Sequence, residues 1–148
     1  MQTMTQMRPK ILVVDDDQDT REVLRHVLAA HRAEVRVAAT VREAIAELDA
    51  ARPHVLVSDI AMPGEDGYDF IDCVRRRAPE RGGAVPALAL TAHARAEDQA
   101  RALAAGFQRH AAKPIDPAEL VRAVAGLVGA PCSCVETVEA VAAFREVP

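Results

Sequence analysis

The chain has 148 residues, half of them hydrophobic and only 3% aromatic, with 22 acidic against 18 basic side chains and a formal net charge of −4. That length holds one domain and a short extension. The acidic balance and the scarcity of aromatics argue against a nucleic-acid-binding protein, which needs a basic footprint or stacking platforms. Cys73, Cys132 and Cys134 form neither a disulfide framework nor a zinc spacing, so free thiols in a reducing cytosol are expected. No apolar run approaches the roughly 18 residues of a membrane span, and the N-terminus has no signal-peptide core, so a cytoplasmic protein is expected.

Residues 1–8 are a polar, Met-containing lead-in expected to be disordered. Residues 10–15 read as a strand, Ile11-Leu12-Val13-Val14 running into Asp15-Asp16-Asp17. A helix over 18–31 follows, with Val23, Leu24, Val27 and Leu28 on one face. A strand at 34–38 and a helix at 41–51, carrying Val41, Ala44, Ile45 and Leu48, come next. The run 54–59 is a strand ending in Asp59, and a loop with Pro63, Gly64 and Gly67 leads into a helix over 67–78 marked by Phe70, Ile71 and Val74. After a loop at Arg81-Gly82-Gly83, the pattern gives a strand at 85–90 and a helix at 95–105, which Gly106 terminates. A short strand at 107–112 precedes Asp116-Pro117-Ala118-Glu119, a capping box with Pro at the first helical position, opening a helix over 117–128. Gly129-Ala130-Pro131 closes a domain of residues 9–129. Within the 130–148 tail, Ser133-Cys134-Val135-Glu136 could cap a short helix that docks on the domain, pairs with a partner, or frays.

Five alternating βα units with continuously apolar strands predict an α/β fold, a parallel five-stranded sheet covered on both faces. Right-handed crossovers make it a doubly wound, flavodoxin-like three-layer sandwich, and the order 2-1-3-4-5 puts the switch point between strands one and three. Those strands end in Asp15-Asp16 and Asp59. The fourth strand runs into Thr91 and the fifth into Lys113-Pro114. Carboxylates, a hydroxyl and an ammonium at one sheet edge suit a magnesium ion and a phosphoryl group. Clustered carboxylates raise one another's pKa unless a cation joins them. The cluster could instead serve a helix N-terminus, a role that fits Asp17 and Asp19 but is not needed from Asp15 and Asp16. An EF-hand reading of Asp15-x-Asp17-x-Asp19 fails because its sixth and twelfth positions are Thr20 and His26. A haloacid-dehalogenase reading fails because the fifth position is Asp19 and no cap domain is evident.

Four motifs stand in order at successive strand ends: Val13-Val14-Asp15-Asp16, Ser58-Asp59-Ile60-Ala61-Met62-Pro63-Gly64 with Gly67, Leu90-Thr91-Ala92, and Lys113-Pro114. With them the chain resembles the receiver domain of bacterial two-component response regulators over roughly residues 9 to 129. The resemblance implies that Asp59 is the phosphoacceptor. It implies that Asp16 and Asp59 bind Mg2+ directly, Asp15 largely through water, and Ala61 through its carbonyl. It also implies that Lys113 and Thr91 contact the phosphoryl group beside the backbone amides of Ala61 and Ala92, with a cis peptide before Pro114.

Further implications concern the switch. His110 stands where the family often carries a Tyr or Phe that swings inward on activation, although an ordinary half-exposed strand residue fits equally. Ala61 and His93 occupy positions that tune dephosphorylation, while His26 and His31 read as helix-surface residues. The function implied is phosphorelay signalling: a histidine kinase or histidine phosphotransfer protein phosphorylates Asp59, and a protein-interaction surface changes. With no room for a DNA-binding module and no membrane segment, the output is expected to be a downstream protein target. The oligomeric state, and the choice between a free-standing regulator and a module of a hybrid kinase, stay open. Rival readings are a magnesium-dependent phosphatase with Asp59 as nucleophile and a non-phosphorylated interaction domain. In the first reading the chain is not an enzyme beyond catalysing its own phosphorylation and dephosphorylation.

Overall fold

A computed structural model describes residues 8–62, 64, 66–92 and 95–128. Residues 1–7 of the lead-in, Pro63, His93 and the tail with Cys132 and Cys134 therefore lie outside the described residues. Five strands, β1 (Lys10–Val14), β2 (Glu34–Ala38), β3 (Val55–Asp59), β4 (Ala87–Thr91) and β5 (Arg109–Ala112), alternate with α1 (Gln18–Ala29), α2 (Val41–Ala51), α3 (Gly67–Arg75), α4 (Ala96–Ala105) and α5 (Pro117–Leu127). The strands are all parallel, in the order β2-β1-β3-β4-β5, as the sequence predicts. No helix among the described residues is long and apolar enough to cross a membrane.

Strand side chains alternate between two cores. Leu12, Val14, Leu56, Ala87 and Ala89 point to the face covered by α2, α3 and α4, through Leu48, Phe70, Val74 and Ala102. Ile11, Val13, Val55, Val57, Leu88 and Leu90 point to the face covered by α1 and α5, through Leu24, Leu28, Leu120 and Val124. Residues of β1 and β3 are almost wholly shielded, which is why those strands read as unbroken apolar runs. Edge strand β2 is different: Glu34 and Arg36 are exposed while Val35 and Val37 are half-buried.

Several boundaries differ from the sequence pattern, each for a local reason. Helix α1 stops at Ala29, not residue 31, because Arg32 takes a left-handed φ of 70° and the Ala33 amide turns back to the Leu28 carbonyl. Helix α3 stops at Arg75, not residue 78. Ala78, preceding Pro79, is extended, and a 3-10 turn, Pro79–Arg81, occupies part of the expected loop. Strand β4 begins at Ala87 because Pro86 has no N–H to give, although its carbonyl accepts the Leu56 amide at 2.8 Å. Strand β5 begins at Arg109 because the chain leaves Gly106 at φ 128° and first drops Phe107 into the core.

Helix caps hold the loops at the C-terminal sheet edge. Asp17 accepts the Thr20 amide at 2.9 Å, Asp116 accepts those of Ala118 and Glu119, and Asp66 with Asp69 makes a reciprocal capping box. Arg75 gathers the far ends of α3 and α4 by donating to Gly106 O, Gly83 O and the Gln108 side chain.

Gly67 sets how closely α3 approaches the end of β3. Its amide donates to Ile60 O at 2.8 Å, and a Cβ added there would lie 2.4 Å from Asp59 O. The obstacle is backbone, so relief requires moving the strand end or the helix. Gly67→Ala should destabilise the domain by about 1–3 kcal/mol, the usual cost of overpacking. Urea denaturation checks this; an unchanged midpoint would show that the contact is softer than it looks.

Candidate functional site

Asp15 follows the last residue of β1, and Asp59 is the last residue of β3. Val14 pairs with Ser58, so the two carboxylates leave neighbouring strand ends side by side. Both are buried, Asp15 at 0% and Asp59 at 4% exposure, whereas Asp16 is exposed at the rim. Carboxylate oxygens of Asp15, Asp16 and Asp59 lie within 4.8 Å of one another.

Lys113 follows β5, and its amide donates to Thr91 O at 2.7 Å, tying the ends of β4 and β5 together. Its ammonium lies 3.2 Å from Asp15 Oδ2 and 3.5 Å from Asp59 Oδ1. The Lys113–Pro114 peptide is cis. Thr91 ends β4, half-buried, one residue beyond Leu90, the partner of Asp59. Ala61 and Ala92 are exposed beside the crevice. His110 sits further down β5, opposite Ala89, half-buried with its Nε2 shielded and without a hydrogen-bond partner among the described residues. His93 lies outside the described residues.

The structure thus brings Asp15, Asp16, Asp59 and Lys113 together and puts Thr91, Ala61 and Ala92 at the neighbouring loop ends. It also separates the ordinary carboxylates from the unusual ones. Asp17 accepts both the amide and the hydroxyl of Thr20, and those bonds hold its carboxyl below the usual range. It is a helix cap. Asp16 has no hydrogen-bond or ion-pair partner among the described residues.

Asp59 behaves in the opposite way to Asp17. Burial, and then the charge of Asp15, push its carboxyl up, against the pull of Lys113 and of the Ala61 backbone. For Lys113, burial acts to lower the ammonium's pKa, but Asp15 and Asp59 outweigh it and hold Lys113 firmly protonated. Lys113 pairs with Asp15 and Asp59 but not with Asp16, so negative charge in the crevice is left uncompensated.

An all-oxygen donor set with excess negative charge fits a hard divalent cation such as Mg2+. Asp15 has both oxygens engaged, Oδ1 by the Asp17 amide at 2.9 Å and Oδ2 by Lys113. Asp16 and Asp59 are the better placed for direct ligation. A cavity of about 350 Å³ lined by Leu48, Arg52, Pro53 and Gly82 lies at the opposite, N-terminal edge of the sheet. It gathers no buried polar side chain, whereas the acidic crevice holds two buried carboxylates.

Arg21 is the neighbour that sequence reasoning missed. It lies one turn into α1 and its Nη1 donates to Asp15 O at 2.8 Å. An arginine reaching back to a main-chain carbonyl leaves no spacing signature to find.

The raised Asp59 carboxyl makes a stability prediction for the metal-free protein. Ionised Asp59 costs stability at every pH above its folded-state titration, and the cost is gone once pH falls below the unfolded value near 3.8. Asp59→Asn should therefore raise the neutral-pH Tm by roughly 4 °C, the shift that about 1 kcal/mol produces in a domain of this size. Melting curves should converge as the solution is acidified. A variant that melts at or below the wild type at neutral pH would contradict the assigned electrostatics.

Residues 11–125 match the response regulator receiver domain family. A Leptolyngbya boryana protein described as an uncharacterized 14.6 kDa protein in the sodA1 3' region is 49% identical over 124 residues, covering 84% of this chain and 92% of that protein. The phosphate regulon transcriptional regulatory protein PhoB of Klebsiella pneumoniae is 33% identical over 78% of this chain, which spans 49% of that regulator's length. Among solved structures, the Vibrio cholerae chemotaxis protein CheY4 superposes with a TM-score of 0.77 at 31% identity, covering 82% of this chain and all of that one. The order of the sheet, the carboxylates at its switch point and these likenesses agree: the chain belongs to the response regulator receiver domains, and so to two-component phosphorelay signalling.

Proposed function

We propose that Asp59 accepts a phosphoryl group from a histidine kinase or histidine phosphotransfer protein and that the modification switches a protein-interaction surface. The observation that carries this reading is the position of Asp59. It is 4% exposed at a sheet edge, beside two further carboxylates and a single ammonium. In such a site an Asp59 oxygen attacks the phosphorus of a phosphohistidine, the P–N bond breaks, and the imidazole departs with the electron pair. Mg2+, held by Asp16 and Asp59 with the Ala61 carbonyl and with Asp15 behind, would supply charge neutralisation at the phosphoryl oxygens. Lys113, whose ammonium lies 3.5 Å from Asp59 Oδ1, would give one phosphoryl oxygen a charge-assisted contact, and the amides of Ala61 and Ala92 would orient the others. The chain then catalyses only its own phosphorylation and dephosphorylation.

The signal would leave through β4 and β5. Thr91 lies opposite Ala112 and its carbonyl holds the Lys113 amide, while His110 lies two residues back along β5. A Thr91 hydroxyl drawn to phosphorylated Asp59 would alter the space available to His110 and so the surface around β4, α4 and β5.

Incubation with a small phosphodonor and Mg2+ should add one phosphoryl mass to the wild type and none to Asp59→Asn. Equal labelling of both would remove Asp59 from the role, and rapid turnover of an aryl phosphate would favour a phosphatase. Thr91→Ala should still accept phosphate but lose most of the amide shifts that a beryllofluoride mimic induces over 93–113. If those shifts match the wild type, the signal leaves by another route.

A further inference from the structure

The three acidic residues after β1 are fastened at every point except one. The Asp15 amide donates to Ala38 O at 3.1 Å, the Asp17 amide to Asp15 Oδ1 at 2.9 Å, and the Thr20 amide to Asp17 Oδ2 at 2.9 Å. Arg21 holds both ends of the frame. Its own amide donates to Asp17 O at 3.0 Å, and its guanidinium to Asp15 O at 2.8 Å. That guanidinium is the only donor to the Asp15 carbonyl among the described residues, and Asp15 is fully buried. A buried carbonyl needs its partner, so the plane of the Asp15–Asp16 peptide depends on Arg21. Asp16 lies between the fastened residues, and its carboxylate reaches the acidic cluster with no partner of its own. Its aim is set by the main chain alone.

We infer that Arg21 is a positioning residue for cation binding: by fixing the Asp15–Asp16 peptide it aims the Asp16 carboxylate at the site shared with Asp59. The inference rests on the proposed role of that crevice as a Mg2+ site. Two effects of Arg21 oppose each other. As a positive charge near the cluster it repels a divalent cation. As the hydrogen-bond donor that sets the ligand's direction it supports one, and loss of such outer partners typically weakens metal binding about 10–100-fold. Half-burial leaves the guanidinium partly screened by water, so positioning outweighs repulsion.

The sign of the effect on Mg2+ affinity decides between them. Titration calorimetry with magnesium chloride on the whole chain should show Arg21→Met binding about 10-fold more weakly than the wild type. Arg21→Lys, which keeps a donor and the charge, should recover much of that loss. The metal-free melting temperature of each variant gives the structural cost separately, since a merely structural role would lower it without changing the affinity of the folded form. Arg21→Met binding Mg2+ equally or more tightly would overturn the inference. If Arg21→Met does not fold, Arg21→Gln is read in its place against the same criterion. Failure of the wild type to bind Mg2+ would remove the metal reading itself, and the inference with it, whereas a binding wild type with an indifferent variant would remove Arg21 alone.

Discussion

Repulsion between buried carboxylates at one edge of a parallel sheet is the constraint around which this domain is organised. Ile11 to Val14 of β1 and Val55 to Val57 of β3 are buried apolar runs, and beyond each an aspartate, Asp15 or Asp59, stands where water barely reaches. A single ionised carboxylate in that position would be unfavourable, and two on adjacent strands are worse. Lys113 offsets part of the charge by lying between Asp15 and Asp59. What remains is a site that folding leaves electrostatically unfinished. A cation would complete it, and a phosphoryl group on Asp59 would change it again.

The rest of the fold holds this arrangement rigid. Both faces of the sheet are packed, by α1 and α5 on one side and α2, α3 and α4 on the other, so the strand ends cannot separate to relieve the repulsion. Gly67 allows α3 to press directly on the Asp59 carbonyl, and the Asp66–Asp69 capping box fixes where that helix begins. On the opposite side of the crevice, Arg21 and Thr20 hold the loop after β1.

The strand order and the identity of the crevice were legible in the sequence because both depend on short-range patterns. Continuous apolar runs such as Ile11-Leu12-Val13-Val14 mark buried strands, and a polar residue just beyond each run lands at the same sheet edge. Asp17 was separable from Asp15 and Asp16 since a cap needs only one carboxylate. Helix ends were less legible. Arg32 stops α1 in a left-handed conformation that glycine or asparagine would have announced, and an arginine does not. Phe107 reads as strand in the sequence but is used as a plug before β5 begins. The role of Arg21 was hidden for a different reason. Its partner is a main-chain carbonyl six residues away in sequence, and no side-chain pattern records such a bond.

A carbon-detected NMR titration of the Asp59 carboxyl, run with and without Mg2+, tests the unfinished-site account most directly. In the metal-free protein the midpoint should lie above the ordinary value of 3.8, because burial and Asp15 disfavour the charge. With Mg2+ present it should fall below that value, as the cation stabilises the ionised form. A metal-free midpoint at or below the ordinary value would show that Lys113 alone satisfies the crevice, and the account would fail.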